Sequence, residues 1–306
     1  MGKVAGSTTD SIERLRKRMA EPPLSEEYPF AWHELSVQGL RYHYLDEGEG
    51  PVLLMLHGNP TWSFYWRNLV KGLRDRFRVI VPDHIGCGLS EKPGLGEYPF
   101  TLERRIEDVL ALVESLQLRE ITLVAHDWGG AIGMGAAVAA PERFRQFLLC
   151  NTGAFRFASC PWRIRVCRVP WLGDWAVKGG NVFARAAIRM AVEKRLSPTV
   201  RAGLLAPYDN WHNRLATHEF VRDIPLSPRD RSYETLVRVE EGLSQFRNHP
   251  VTLLWGMRDW CFTPAFLKRF QEIFPQAQTY PFPDAGHYLV EDAWEEILPV
   301  IRRRME

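Results

Sequence analysis

The stretch Ile121-Thr122-Leu123-Val124-Ala125-His126-Asp127-Trp128-Gly129-Gly130 decides how this chain folds. Its apolar opening reads as a strand buried on both faces. The Gly- and Ala-rich run from Gly129 to Ala140 reads as a helix, and only a tight turn separates the two. Ala125 and Gly129 stand two positions either side of Asp127. A sharp strand-to-helix turn needs such small neighbours, and it lifts one side chain to the mouth of a sheet. Asp127 is therefore a nucleophile candidate, although an Asp there would equally suit the cap of the following helix.

Outward from this turn, short apolar runs alternate with helix-period segments. Arg41–Leu45, Val52–Leu56, Arg78–Val81, Phe147–Cys150, Val251–Trp255 and Gln278–Phe282 read as strands. Leu102, Ile106, Val109, Leu110, Val113 and Leu116 recur at helical spacing behind Thr101 as N-cap, and Ala293–Arg304 closes the chain as a helix. This order predicts an α/β fold with a mostly parallel central sheet and helices on both faces. From Thr152 to Pro228 strand runs vanish, and helical pieces such as Asn181–Leu196 alternate with Trp and Pro. That stretch reads as a helical cap inserted after the sixth strand. The expected division is an N-terminal arm over 1–27, a core over 28–151 and 229–306, and the cap over 152–228.

Four further turns end strands at the same edge. They are His57-Gly58-Asn59-Pro60, Pro82-Asp83-His84-Ile85-Gly86, Trp255-Gly256-Met257-Arg258-Asp259, and Ala285-Gly286-His287. The order nucleophile, acid, histidine is that of the α/β-hydrolases. An earlier slot for the acid reads Cys150-Asn151-Thr152 and holds no carboxylate, so Asp259 takes that role. Asp284, three residues before His287, is a second candidate partner for it. Asp83 reads as a brace for its turn, and His57, His84 and His126 as residues that orient backbone. No spacing suggests a metal, and no Gly-rich loop with Lys suggests a bound phosphate, so neither metal nor cofactor is expected.

The segments His57–Pro60, Val124–Gly130, Trp255–Asp259 and Gly286-His287 resemble those of the haloalkane dehalogenases, over essentially the whole chain from about Tyr28 onward. Asn59 and Trp128 as halide donors, with the acid at the later slot, look like the third subfamily. That subfamily shades into the β-lactone decarboxylases of long-chain olefin biosynthesis, to which Ala206–Trp211 and Val221–Pro225 are also similar. The resemblance implies an α/β-hydrolase fold and a triad of Asp127, His287 and Asp259. Asp127 would displace halide from saturated carbon and form an ester. Asn59 and Trp128 would receive the halide, and their backbone N–H groups the later oxyanion. His287, oriented by Asp259, would activate the water that frees the product. The leading expectation is a haloalkane dehalogenase; the alternative is a cis-β-lactone decarboxylase giving an alkene and CO2. An epoxide hydrolase ranks third, because it would need paired ring-opening tyrosines; nothing places Tyr208 and Tyr233 together, and Asn59 argues for a halide-type site. A non-catalytic scaffold on this fold would be expected to lack a triad residue, and here none is missing.

Composition narrows the partners. The chain has 306 residues, 45% hydrophobic and 25% charged, which excludes a disordered or fibrous protein. Lys and Arg number 39 against 37 Asp and Glu, a net +2, so no general field attracts nucleic acid or an anionic membrane. Five cysteines without a Cys-x-x-Cys pair read as reduced thiols of a cytoplasmic protein. Ile121–Pro141 is weakly charged but is broken by His126-Asp127, so no membrane span is expected. The cap aromatics Phe155, Phe157, Trp162, Trp171, Trp175, Phe183 and Trp211, with Ile188 and Met190, read mainly as packing between cap and sheet, a few of them lining a pocket for a hydrophobic small molecule. Arg156, Arg163, Arg165 and Arg168 read as a solvated face, or as a surface for an acidic partner or another copy. The basic arm bearing Arg14, Arg16, Lys17 and Arg18, before Pro22-Pro23, is either loose or ties subunits of a homo-oligomer together.

Overall fold

The computed structural model describes residues 8–157, 160–169 and 171–305. Eight strands form one sheet: β1 (His33–Val37), β2 (Leu40–Glu47), β3 (Val52–Leu56), β4 (Arg78–Pro82), β5 (Ile121–Asp127), β6 (Phe144–Thr152), β7 (Val251–Gly256) and β8 (Gln278–Phe282). Their order is β1-β2-β4-β3-β5-β6-β7-β8, antiparallel at β1/β2 and β2/β4 and parallel elsewhere. The chain moves from β3 outward to β4, then returns to the other side of β3 for β5. Order therefore reverses between β3 and β5, where parallel sheets open a crevice at their carboxyl ends. Asp127 closes β5 at that crevice.

Side chains alternate across the sheet, as strand geometry requires. Leu54, Leu56, Leu123, Ala125 and Leu149 join a core on one face, and Leu53, Met55, Val124, Leu148 and Cys150 join a second core on the other. β1 was not evident in the sequence because Glu34 and Ser36 are exposed and its apolar alternation is weak. Thr101 caps the helix Leu102–Ser115, its hydroxyl accepting the Arg104 N–H. The last helix starts earlier than expected, at Leu289, with a break in helical geometry at Ala293.

Between β6 and β7 the described elements are helical, including Trp162–Cys167, Val182–Met190, Pro198–Leu205, Leu215–Arg222 and Tyr233–Gly242. One expectation for this stretch is overturned. Trp162, Trp171, Trp175 and Trp211 are 69%, 85%, 74% and 49% exposed instead of packed between cap and sheet. Phe155 is buried, and Phe157 and Phe183 are partly so. The N-terminal segment is not loose over its described part. Thr8–Met19 is a helix that buries Ile12, Leu15 and Met19 in the second core, and Ser11 meets the Asn213 amide. All five cysteines are free thiols. No helix among the described residues is long and apolar enough to cross a membrane.

Candidate active site

The turn after β5 is held in a backbone conformation that a side chain ordinarily avoids. Asp127 has φ 53° and ψ −126°, a geometry that costs on the order of 1–3 kcal/mol and persists only where the surroundings impose it. Three neighbours impose it here. The Thr152 hydroxyl donates to the Asp127 carbonyl. A Cβ on Gly129 would collide with the Leu56 carbonyl, and one on Gly130 with the Thr152 side chain. The two glycines therefore let the helix Trp128–Ala139 start directly against β3 and β6.

The Asp127 carboxylate is buried at the crevice. Its Oδ1 accepts the Asn59 backbone N–H at 2.7 Å, and its Oδ2 lies 3.7 Å from His287 Nε2. Gly58 makes this approach possible, since a Cβ there would overlap the carboxylate. Burial raises the Asp127 carboxyl above its ordinary range, while the His287 ring and the N–H groups of Asn59 and Trp128 pull it back toward ionisation. His287 Nδ1 meets Asp259 Oδ2 at 2.9 Å. Burial pushes the imidazole down, but the Asp259 carboxylate and its hydrogen bond outweigh that, and Asp127 adds to the upward shift. Nδ1 is thus the protonated nitrogen, and Nε2 faces the Asp127 carboxylate.

Asp259 is fixed by donors that the sequence reading did not single out. Asn151 Nδ2 donates to its Oδ2 at 3.0 Å and to the Gly256 carbonyl at 3.1 Å, while Asn151 Oδ1 accepts the Gly256 N–H at 2.7 Å. The Cys261 and Phe262 N–H groups reach Asp259 Oδ1 at 2.6 and 3.1 Å. The earlier slot after β6 thus holds an amide that braces the acid arriving from β7. The signal was an Asn at a strand end beside a Gly turn. Asp284 does not compete for His287; it is exposed and paired with Arg258.

His57, His84 and His126 bind backbone groups. His57 Nδ1 donates to the Gly58 carbonyl at 2.8 Å, and its Nε2 accepts the His84 N–H at 3.0 Å. His84 Nε2 donates to the His57 carbonyl at 3.0 Å. His126 Nε2 donates to the His287 carbonyl at 2.8 Å. Burial lowers the pKa of all three, keeping them neutral. Asp83 braces its turn by accepting the N–H groups of Ser63 and Leu89 at 2.7 and 2.8 Å, with His43 Nδ1 at 2.8 Å.

Above the carboxylate lies a cavity of about 390 Å³ lined by Asn59, Asp127, Trp128 and His287 below and by apolar side chains such as Phe155, Phe183 and Ile224 above. Asn59 Nδ2 donates to the Thr217 carbonyl at 3.1 Å, which spends one amide hydrogen on the helix Leu215–Arg222 and leaves the other. Neither Tyr208 nor Tyr233 lines this cavity. Tyr208 is buried, with its hydroxyl on the Thr61 carbonyl.

A strained Asp at an elbow, a His–Asp pair behind it and backbone donors beside it define an α/β-hydrolase site with a carboxylate in the nucleophile's place. The chain belongs to the α/β-hydrolase family, whose model matches residues 51–293. Among curated relatives it is 44% identical to a cis-3-alkyl-4-alkyloxetan-2-one decarboxylase of Shewanella oneidensis, over 90% of this chain and 89% of that one. A decarboxylase of the same name from Xanthomonas campestris is 42% identical, over 91% and 97%. Haloalkane dehalogenase 2 of Mycobacterium tuberculosis is 34% identical, over 90% and 96%. Among solved structures, the haloalkane dehalogenase DatA of Agrobacterium tumefaciens C58 superposes with a TM-score of 0.82 at 26% identity, covering 92% of this chain and 98% of its own. The expected order of readings is thereby reversed: the decarboxylases are the nearer in sequence of these relatives.

Proposed function

We propose that this protein decarboxylates cis-3,4-dialkyl β-lactones, with Asp127 as nucleophile, His287 and Asp259 completing the triad, and residues 152–228 serving as the cap. The observation that carries this reading is the higher identity to the two oxetanone decarboxylases, over the same share of the chain as the dehalogenase. The apolar cavity supports it, because two alkyl chains offer only hydrophobic area for recognition.

The chemistry follows from the site. Asp127 attacks ring carbon 4 from behind, forming a C–O bond as the ring C4–O bond breaks and leaves its electron pair on the ring oxygen. The result is an ester on Asp127 and a free carboxylate on carbon 3. That carboxylate leaves as CO2, its bonding pair becomes the C3=C4 bond, and the C4–O bond to Asp127 breaks to restore the enzyme carboxylate. Inversion followed by anti departure preserves the cis relationship. Neither water nor a net proton is consumed. The indole N–H of Trp128 and the remaining amide hydrogen of Asn59 stabilise the charge that develops on the departing oxygen. The same donors would suit a halide, and His287 at 3.7 Å from Asp127 would suit ester hydrolysis, so dehalogenation is the second reading.

Incubating the protein separately with a cis-dialkyl oxetan-2-one and with 1-bromohexane tests this directly. The expected result is alkene from the lactone, lost in Asp127→Asn. Bromide release with no alkene would return the protein to the dehalogenases.

A further inference from the structure

The Trp-rich face that the cap leaves exposed has no role in the chemistry above. Among the described residues, every large exposed apolar side chain other than Leu95 falls between Trp162 and Trp211. From their fractional exposures, the four indoles present on the order of 400–700 Å² of apolar surface. A monomer rarely leaves that much uncovered without an interaction to serve. The charge is as concentrated as the apolar area. Between residues 155 and 192 there are seven basic side chains against Asp174 alone, a local +6 in a chain of net +2. Arg156 and Arg168 are paired with Glu240 and Asp230, but Arg165, Arg185 and Arg189 are exposed and carry no ion pair among the described residues.

The cavity opens at this face. The helix Trp162–Cys167 turns Ile164 and Cys167 inward and Trp162, Arg165 and Val166 outward. The helix Val182–Met190 turns Phe183, Ala186 and Ala187 inward and Val182, Arg185 and Arg189 outward. Arg163 and Met190 line the cavity and are exposed as well, which puts its mouth between these two helices.

We propose that this face docks on an anionic lipid bilayer, with the exposed indoles at the headgroup level and the unpaired arginines on lipid phosphates. Indole and guanidinium side by side suit that layer, where one end of a side chain is apolar and the other wet. A second copy fits less well, since a symmetric contact through this face would set its unpaired arginines against their own copies. Docking also gives the mouth of an apolar cavity direct access to long-chain molecules dissolved in the bilayer. That last consequence rests on the proposed substrate, whereas the docking itself does not.

Co-sedimentation with unilamellar vesicles tests the docking independently of turnover. The comparison is phosphatidylcholine alone against phosphatidylcholine with about 30 mol % phosphatidylglycerol. Wild type is expected to pellet with the anionic vesicles and to be released by salt. The pairs Trp171→Ala/Trp175→Ala and Arg165→Glu/Arg189→Glu, none of them lining the cavity, should each weaken binding about tenfold or more and leave the turnover of a short-chain substrate in detergent-free buffer unchanged. Wild type remaining in the supernatant with anionic vesicles would overturn the proposal. So would variants that bind like wild type, or a concentration-dependent oligomer that the tryptophan pair dissolves while vesicles stay unbound.

Discussion

At the scale of single residues, the site depends on how closely backbone approaches one carboxylate. Gly58 has no Cβ because one would occupy the space of the Asp127 carboxylate. Gly58→Ala should therefore cut alkene formation by roughly a hundredfold or more, since a misplacement of about 1 Å already costs that much. Circular dichroism should remain that of a folded protein. His287 separates the two chemistries. Decarboxylation needs only an ionised Asp127, so His287→Ala should slow alkene release about tenfold, through lost charge stabilisation near the carboxylate. Ester hydrolysis needs a neutral imidazole, so the same substitution should halt it after one turnover, with a mass adduct on the Asp127 peptide. The pH dependence carries the same distinction. The His287 pKa is raised, so any hydrolytic activity should fall on acidification from above the usual histidine range. Alkene release should persist until Asp127 itself protonates, at a pH above the usual carboxylate range.

At the scale of elements, the strand ends were legible in the sequence because each couples an apolar run to a turn with a chemical residue in it. Asp127, Asn59, Asp259 and His287 all fall where β5, β3, β7 and β8 release the chain. What escaped were contacts between turns distant in sequence: Asn151 on Asp259, His126 on the His287 carbonyl, and the Asn59 amide on Thr217. None has a local periodicity to betray it. The cap misled for a different reason. Trp is an apolar residue in composition, and short helices interrupted by Pro and Gly show no stripe that says which face is buried. Asp83 allows a stability prediction at this scale. It is fully buried and holds the turn after β4; burial pushes its carboxyl up, but His43 above all, with the His57 ring and the Leu89 N–H, holds it far below the ordinary range. Asp83→Ala should destabilise the protein by about 1–3 kcal/mol or more, because the buried N–H groups of Ser63 and Leu89 lose their acceptor, and thermal unfolding would read the loss. Because the folded pKa is depressed, this contribution is present above the ordinary carboxylate value and fades as pH falls toward the depressed one.

At the scale of the whole molecule, a sheet whose strand order reverses between β3 and β5 opens one crevice, and Asn59, Asp127, Trp128 and His287 gather around it. The helices between β6 and β7 line the crevice with apolar side chains and carry tryptophan and arginine on the outside. In the proposed mechanism Asp127 forms and then releases its ester without water. Turnover of a cis-dialkyl oxetan-2-one in oxygen-18 water, followed by mass analysis of the peptide carrying Asp127, tests it most directly. The expected result is alkene release with no label in the Asp127 carboxylate after many turnovers. Label accumulating in that carboxylate, with a hydroxy acid as product, would contradict it.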